Sequence, residues 1–211
     1  METKVAIIGA GDLGVTICQH LSADPSVDDI CFIDDTKVGQ NINGVKVICG
    51  ITDIEKYHGK DFDQLIMGIG YNHLSARQKI FESLKATYNF FTFEHSSTVK
   101  GENVSIGEGA VILPGCALDN GVSIGENSLL NTGVTIAHDS KIKGHSFIAP
   151  GVNISGFVEI GHRCFIGVGT NIIDNVKITD DVIVGGGSLL LKDIRKSGRF
   201  VCKESGKLSP I

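Results

Sequence analysis

Two groups of residues in this 211-residue chain are of a type that does chemistry: a glycine-rich turn followed by paired aspartates, and a set of scattered histidines. Gly9-Ala10-Gly11-Asp12-Leu13-Gly14 follows the apolar run Lys4 to Ile8 and opens the amphipathic stretch Val15 to Leu21, with Asp34 twenty residues after Gly14. Glycines in such a turn let the backbone approach a phosphate at a positively polarised helix N-terminus. An acidic residue at the end of the next strand, here Asp34 or Asp35, accepts hydrogen bonds from a ribose or sugar hydroxyl. Alone, the turn suggests a dinucleotide oxidoreductase or purely structural glycines. Histidines stand at positions 20, 58, 73, 95, 138, 145 and 162. His20, His58 and His73 lie in helix or loop contexts and read as surface residues.

The elements that must carry these residues change character along the chain. From residue 1 to about 95, Lys4 to Ile8, Asp29 to Ile33 and Gln64 to Ile69 read as buried strands. They alternate with helices over Val15 to Leu21 and Asn72 to Lys85, the latter placing Leu74, Ile80, Phe81 and Leu84 toward the sheet. Strand, helix, strand implies a small parallel sheet covered by helices, a Rossmann-like half in an α/β domain spanning 1–95. Such a length supplies only one mononucleotide-binding half, which weighs against a dinucleotide.

After Phe93 the period becomes six. Ile106, Ile112, Leu118, Ile124, Leu130, Ile136 and so on to Leu190 form fifteen consecutive aliphatic positions, each preceded two residues earlier by Val or a small uncharged side chain. Two inward positions per hexad suit a short strand with alternating faces and then a corner. Six residues cannot bury their own face, so the hexads must stack as coils of a β-solenoid, in a second domain spanning 96–211 that ends in a C-terminal tail. Glycines directly after the aliphatic, such as Gly107, Gly125, Gly161, Gly167 and Gly185, are expected at the corners.

Composition narrows the partners. The net charge of −5 leaves no electrostatic footprint for nucleic acid or an anionic membrane, and no apolar run approaches the ~20 residues that span a bilayer. Six cysteines without a CxxC pair, in a chain with no export signal, read as reduced thiols packed as small hydrophobes in the cytoplasm.

The repeat resembles that of the hexapeptide-repeat acyltransferases, whose fold is a left-handed parallel β-helix with three strands per coil. The handedness and triangular section come from this resemblance, since ordinary parallel crossovers are right-handed. An αβ domain with Gly9-Ala10-Gly11 and a following Phe32-Ile33-Asp34-Asp35, ahead of such a helix, resembles the bacterial sugar acetyltransferases of the NeuD and PglD type, which acetylate nucleotide-linked amino sugars. The resemblance covers nearly the whole chain. It fails mainly in the tail, where Arg199 to Lys203 departs from the usual Gly-x-Pro-Ala-Lys ending.

The resemblance implies site residues. Gly11, Asp12, Leu13, Asp34, Asp35 and Gly70 match positions that line the nucleotide-sugar pocket, although many members carry His in place of Leu13 and a small residue in place of Asp12. Asn131 to Asp139 is similar to the motif in which a β-helix histidine, here His138, is the general base and the following acid, Asp139, raises its basicity. A sugar amine is largely protonated near neutrality and must lose a proton before attacking a thioester, a task an imidazole performs at working pH. Neighbouring residues on a strand point to opposite faces, so His138 and Asp139 can cooperate only at a corner. Phe147, Gly156, Val168 and Gly186 match the acetyl-CoA positions along the groove between coils, with Phe147 replacing a frequent His.

The implied function is acetyl-CoA-dependent N-acetylation of a nucleotide-linked amino-deoxy sugar of the 4-amino-4,6-dideoxy type, in surface-glycan biosynthesis, with no metal and a homotrimeric assembly. Alternatives are O-acetylation of a sugar hydroxyl, as in the sialic-acid branch, and a non-catalytic nucleotide-sugar-binding scaffold. Zinc-dependent carbonic anhydrases also use β-helices, but with two histidines five residues apart. His138, His145 and His162 are separated by 7 and 17.

Overall fold

The computed structural model describes residues 3–203 and 207–210, with side chains through Val201. The chain divides into two compact units, Met1–Phe91 and Thr92–Ile211.

In the first unit, β1 (Thr3–Ile8), β2 (Val27–Ile33), β4 (Val45–Cys49) and β5 (Gln64–Met67) are parallel, and β3 (Asn41–Ile42) is antiparallel to β4. The order is β3-β4-β2-β1-β5. Val5 to Ile8 on the interior strand β1 are at most 1% exposed, because parallel strands are covered on both faces. The first helix, α1 (Asp12–Leu21), begins three residues before its expected start and buries Gly14, Ile17, Cys18 and Leu21, one helical stripe. The second, α2 (Leu74–Leu84), buries Leu74 and Phe81 as expected, while Ile80 and Leu84 pack half-buried against the core. A residue the apolar pattern passes over, Arg77, shares that buried stripe. The β3–β4 hairpin was not anticipated. It turns on Asn43-Gly44, whose φ values of 51° and 91° are those of the tight two-residue hairpin turn that Asn-Gly favours.

The second unit is a left-handed parallel β-helix. Strands of two or three residues pair with those 18 positions away, as Ile136 does with Leu118 and Ile154, so three hexads make one coil and the walls are three parallel sheets. The hexad aliphatics form one continuous core. The small residues two positions earlier are also buried, and their polar atoms serve the next coil: Ser140 Oγ donates to the Ser155 carbonyl at 2.7 Å and accepts from the Val158 amide at 3.0 Å. This satisfies the corner backbone from within.

The corners are not where the sequence suggested. Every sixth residue from Asn103 to Gly187 has positive φ, three positions after each aliphatic, and Asn, Asp, His, Arg and Phe share these sites with glycine. The glycines directly after the aliphatics are needed for another reason. A Cβ on Gly107 or Gly125 would collide with the backbone nitrogen of Glu126 or Gly144 in the next coil.

Five cysteines, Cys18, Cys31, Cys49, Cys116 and Cys164, are buried free thiols. The side chain of Cys202, and with it Lys203, lies outside the described residues. Burial pushes the Cys31 thiol up to about 12 and the Cys49 and Cys164 thiols up to about 11, so they are protonated packing groups.

Candidate functional site

In the first unit, the chain leaves β1 toward β2 on one side and later returns to β5 on the other, and ligands of such sheets bind at the carboxyl ends of the strands where the direction switches. The Gly9–Gly11 and Gly68–Gly70 turns both lie there. Gly9, Gly14 and Gly68 pack backbone against backbone: a Cβ on Gly14 would collide with the Gly9 carbonyl, and one on Gly68 would lie 2.8 Å from the same oxygen. They close strand on helix. Gly11 and Gly70 are different, with nothing within 4 Å of the place a Cβ would take, so these two leave backbone open to a ligand. Asp12 is exposed in the first turn of α1 and Leu13 is half-buried beside it.

The two aspartates are unequal. Asp34 accepts the Ala10 amide at 2.9 Å on Oδ2, and the Thr36 amide and hydroxyl at 2.9 and 2.7 Å on Oδ1. Partial burial raises its pKa, but these bonds and the nearby Lys37 charge outweigh that and hold the carboxyl below its ordinary range. Lys37 Nζ donates to the Ala10 carbonyl at 2.6 Å, so one turn grips both sides of Ala10. Asp35 Oδ1 accepts the Ile51 amide at 2.7 Å, and its side chain is exposed. Arg77, which sequence reasoning missed, donates from Nη1 to the Met67 and Ile69 carbonyls at 3.1 and 2.9 Å and so sets the turn after β5. Burial pulls its pKa down to about 9, leaving it charged at neutral pH.

In the β-helix, Asp139 is the left-handed residue of its corner, at φ 57°. That conformation removes the strand alternation and turns the Asp139 carboxylate toward its neighbour: Asp139 Oδ2 lies 3.1 Å from His138 Nδ1. The imidazole is half exposed, and its Nε2 has no partner among the described residues. Gly156, one coil on, makes room for it, since a Cβ there would lie 2.9 Å from both Cε1 and Nε2. The Gly156 amide donates to Asp174 Oδ1 at 2.9 Å, so it is already engaged. Asp174 was not singled out in the sequence, yet its place 18 residues after Gly156 is the coil period. Phe157 follows, its ring perpendicular to that of His138 at 5.0 Å.

Of the expected cofactor residues, Gly156 adjoins His138 and the other three do not within one chain. Val168 and Gly186 meet on a different edge, where a Gly186 Cβ would lie 2.9 Å from Val168 Cγ1 and Val168 is 58% exposed. Phe147 is buried on a wall strand against Phe165, with ring centroids 5.8 Å apart. One wall of about six residues, at most about 20 Å of extended chain, separates the His138 edge from the Val168 edge. His145 and His162 neighbour each other on the third edge, at 6.5 Å between rings, so the three β-helix histidines do not converge. His145 is buried, with Nδ1 3.0 Å from Asn127 Nδ2.

Residues 4–84 match the PglD N-terminal domain. No curated protein matches the chain. Among solved structures, a histidine-to-asparagine mutant of perosamine N-acetyltransferase from Caulobacter crescentus, in complex with CoA and GDP-perosamine, aligns with a TM-score of 0.90 at 25% identity, over 99% of this chain and 97% of that one. PerB from Caulobacter crescentus in complex with the same two molecules aligns at 0.88 and 26% identity, over 98% and 97%. The acetyltransferase domain of PglB from Neisseria gonorrhoeae shares the fold over the full length of both chains, at 0.84 and 24% identity. A PglD N-terminal domain over residues 4–84 thus stands ahead of a hexapeptide β-helix with an exposed His-Asp pair at one of its corners, and over nearly its whole length the chain is similar to sugar N-acetyltransferases of solved structure.

Proposed function

We propose that the protein transfers the acetyl group of acetyl-CoA to the amine of a nucleotide-linked amino sugar of the 4-amino-4,6-dideoxy type, in the cytoplasm, within surface-glycan biosynthesis. The observation that carries this reading is the exposed imidazole of His138 with Asp139 at its Nδ1 and its Nε2 open. Asp139 holds the tautomer in which Nδ1 bears the proton, leaving the Nε2 lone pair to accept one. The amine nitrogen bonds to the thioester carbon and its proton passes to Nε2. Collapse of the tetrahedral adduct breaks the C–S bond, and the thiolate of CoA leaves and takes the proton held at Nε2, which regenerates the base. No acyl-enzyme is needed, because the acetyl group arrives activated. The CoA and GDP-perosamine held by the Caulobacter proteins support this pairing of substrates.

The nucleotide sugar is assigned to the first unit, with the Gly11 and Gly70 backbone at its phosphates and Asp35, one oxygen of which is open, at a hydroxyl; Asp12 and Leu13 line the same turn. Asp34 acts there by holding the turn. Acetyl-CoA is assigned to the Val168 and Gly186 edge, with Gly156 shaping the base's surroundings and Phe147 supporting the wall. Because the His138 and Val168 edges lie apart in one chain, a homotrimer in which each site takes one edge from each of two copies completes the reading.

The test is an acceptor screen of UDP-, dTDP- and GDP-linked 4-amino sugars with acetyl-CoA, following release of the CoA thiol. Amine-dependent release that is lost in His138→Ala is expected. Release only with hydroxy acceptors would move the reading to O-acetylation, and binding without release would make the protein a scaffold.

A further inference from the structure

Phe157 is out of place twice. It occupies a left-handed corner site at φ 57°, a conformation that costs a bulky L-residue energy and that equivalent sites in neighbouring coils give to Gly121, Asp139 and Asn175. It is also 50% exposed within the single chain, as a large apolar side chain. His145 and Arg163 also take left-handed corners, but both end in polar groups; Phe157 alone among the corner residues joins that strain to an exposed apolar ring.

What Phe157 touches identifies the gain. Its ring stands at 88° to the His138 imidazole with centroids 5.0 Å apart, the edge-to-face arrangement that aromatic pairs favour, and its amide donates to the His138 carbonyl at 3.1 Å. His138 is thus bounded by Asp139 at Nδ1 and by Phe157 beside the ring, while the bare Gly156 backbone leaves the space the imidazole occupies. The carboxylate alone fixes one atom of a ring that can still swing about its side-chain bonds. A perpendicular aromatic wall removes that freedom.

We propose that Phe157 is a positioning residue of the acetyl transfer: it holds the His138 imidazole in one orientation, with Nε2 directed at the incoming amine, at a cost in backbone strain. This rests on the reading of His138 as general base. A general base must stay within hydrogen-bond reach of the proton it takes, so a loosened ring lowers turnover without weakening either substrate.

The test compares Phe157→Asn, Phe157→Tyr and wild type in the full-length protein. Asn accepts the left-handed corner readily, so Phe157→Asn should melt no lower than wild type while kcat falls about three- to tenfold and both KM values stay within twofold. Phe157→Tyr keeps the aromatic wall and should retain wild-type kcat. By NMR, the His138 Cε1 proton, assigned by its absence in His138→Ala, should carry a ring-current shift that Phe157→Asn abolishes and Phe157→Tyr preserves. An unchanged kcat in Phe157→Asn, or an unchanged His138 resonance, overturns the proposal. If wild type transfers acetyl to no acceptor, the acetyltransferase reading fails, and the resonance alone still decides whether Phe157 orients the ring.

Discussion

Loss of the His138 imidazole should lower kcat by about 10² to 10⁴ with both substrate affinities nearly intact, because a general base acts in the transition state. Asp139→Asn removes the charge but keeps a polar side chain at the same corner, so its loss of kcat should be smaller. His162→Ala, on another edge, should stay within a few-fold of wild type. The paired aspartates separate in the same way. Asp35→Ala should raise the acceptor KM about tenfold, the value of one hydrogen bond of ~1.4 kcal/mol, with a smaller loss of melting temperature than Asp34→Ala because it strips only the Ile51 amide. Asp34→Ala, which strips the Ala10 amide and both Thr36 donors of their acceptor, should lower the melting temperature as well. Equal behaviour of the two variants would dissolve the distinction drawn between them.

At the scale of the element, Gly156→Ala places a methyl group 2.9 Å from His138 Nε2 and must push the ring aside. A displacement of that size costs on the order of 10² in rate when a catalytic group is misplaced by about 1 Å, and circular dichroism should show an intact β-helix. The turn after β5 depends on Arg77. Arg77→Met leaves the Met67 and Ile69 carbonyls without that donor, and denaturant titration should find a loss of about 2–3 kcal/mol. Two carboxylates tie these elements to pH. Asp181, hydrogen-bonded to the Arg163 guanidinium in the preceding coil, is held below the ordinary carboxylate range, as is Asp34. A carboxyl whose folded pKa is depressed stabilises above its unfolded value of about 3.9 and loses that contribution as pH falls through the folded value. The melting temperature should therefore be level from pH 7 to about 5 and fall below about 4, and Asp181→Asn should flatten part of that fall.

For the whole molecule, the separation of the His138 and Val168 edges sets the expectation. Light scattering at micromolar protein should give the mass of three chains, and a fully active monomer would refute the shared site. Mixed assemblies of His138→Ala with Val168→Trp should recover activity that neither variant has alone, because some sites then draw an intact edge from each copy. No helix among the described residues is long and apolar enough to cross a membrane.

The hexad period alone determined that the second half is a solenoid, since a six-residue unit has no way to bury its face except by stacking, and it located every inward residue from Val104 to Leu190. The strand and glycine pattern likewise determined the parallel sheet and the turn at Gly11. The β3–β4 hairpin was legible in Asn43-Gly44 but rests on only two pairs of residues, Asn41 with Lys46 and Ile42 with Val45, too short for a period to reveal. The tertiary structure decided what depends on which atoms meet across coils: that the left-handed corner residue, and not the glycine after the aliphatic, makes the bend; that Asp139 faces His138 although the two are adjacent in sequence; and that Asp34 is spent on its own turn while Asp35 is not. Period records which way a side chain points along one strand. Contacts between residues 18 or 24 positions apart are set by the closing of the coil and the sheet, and no local pattern carries them.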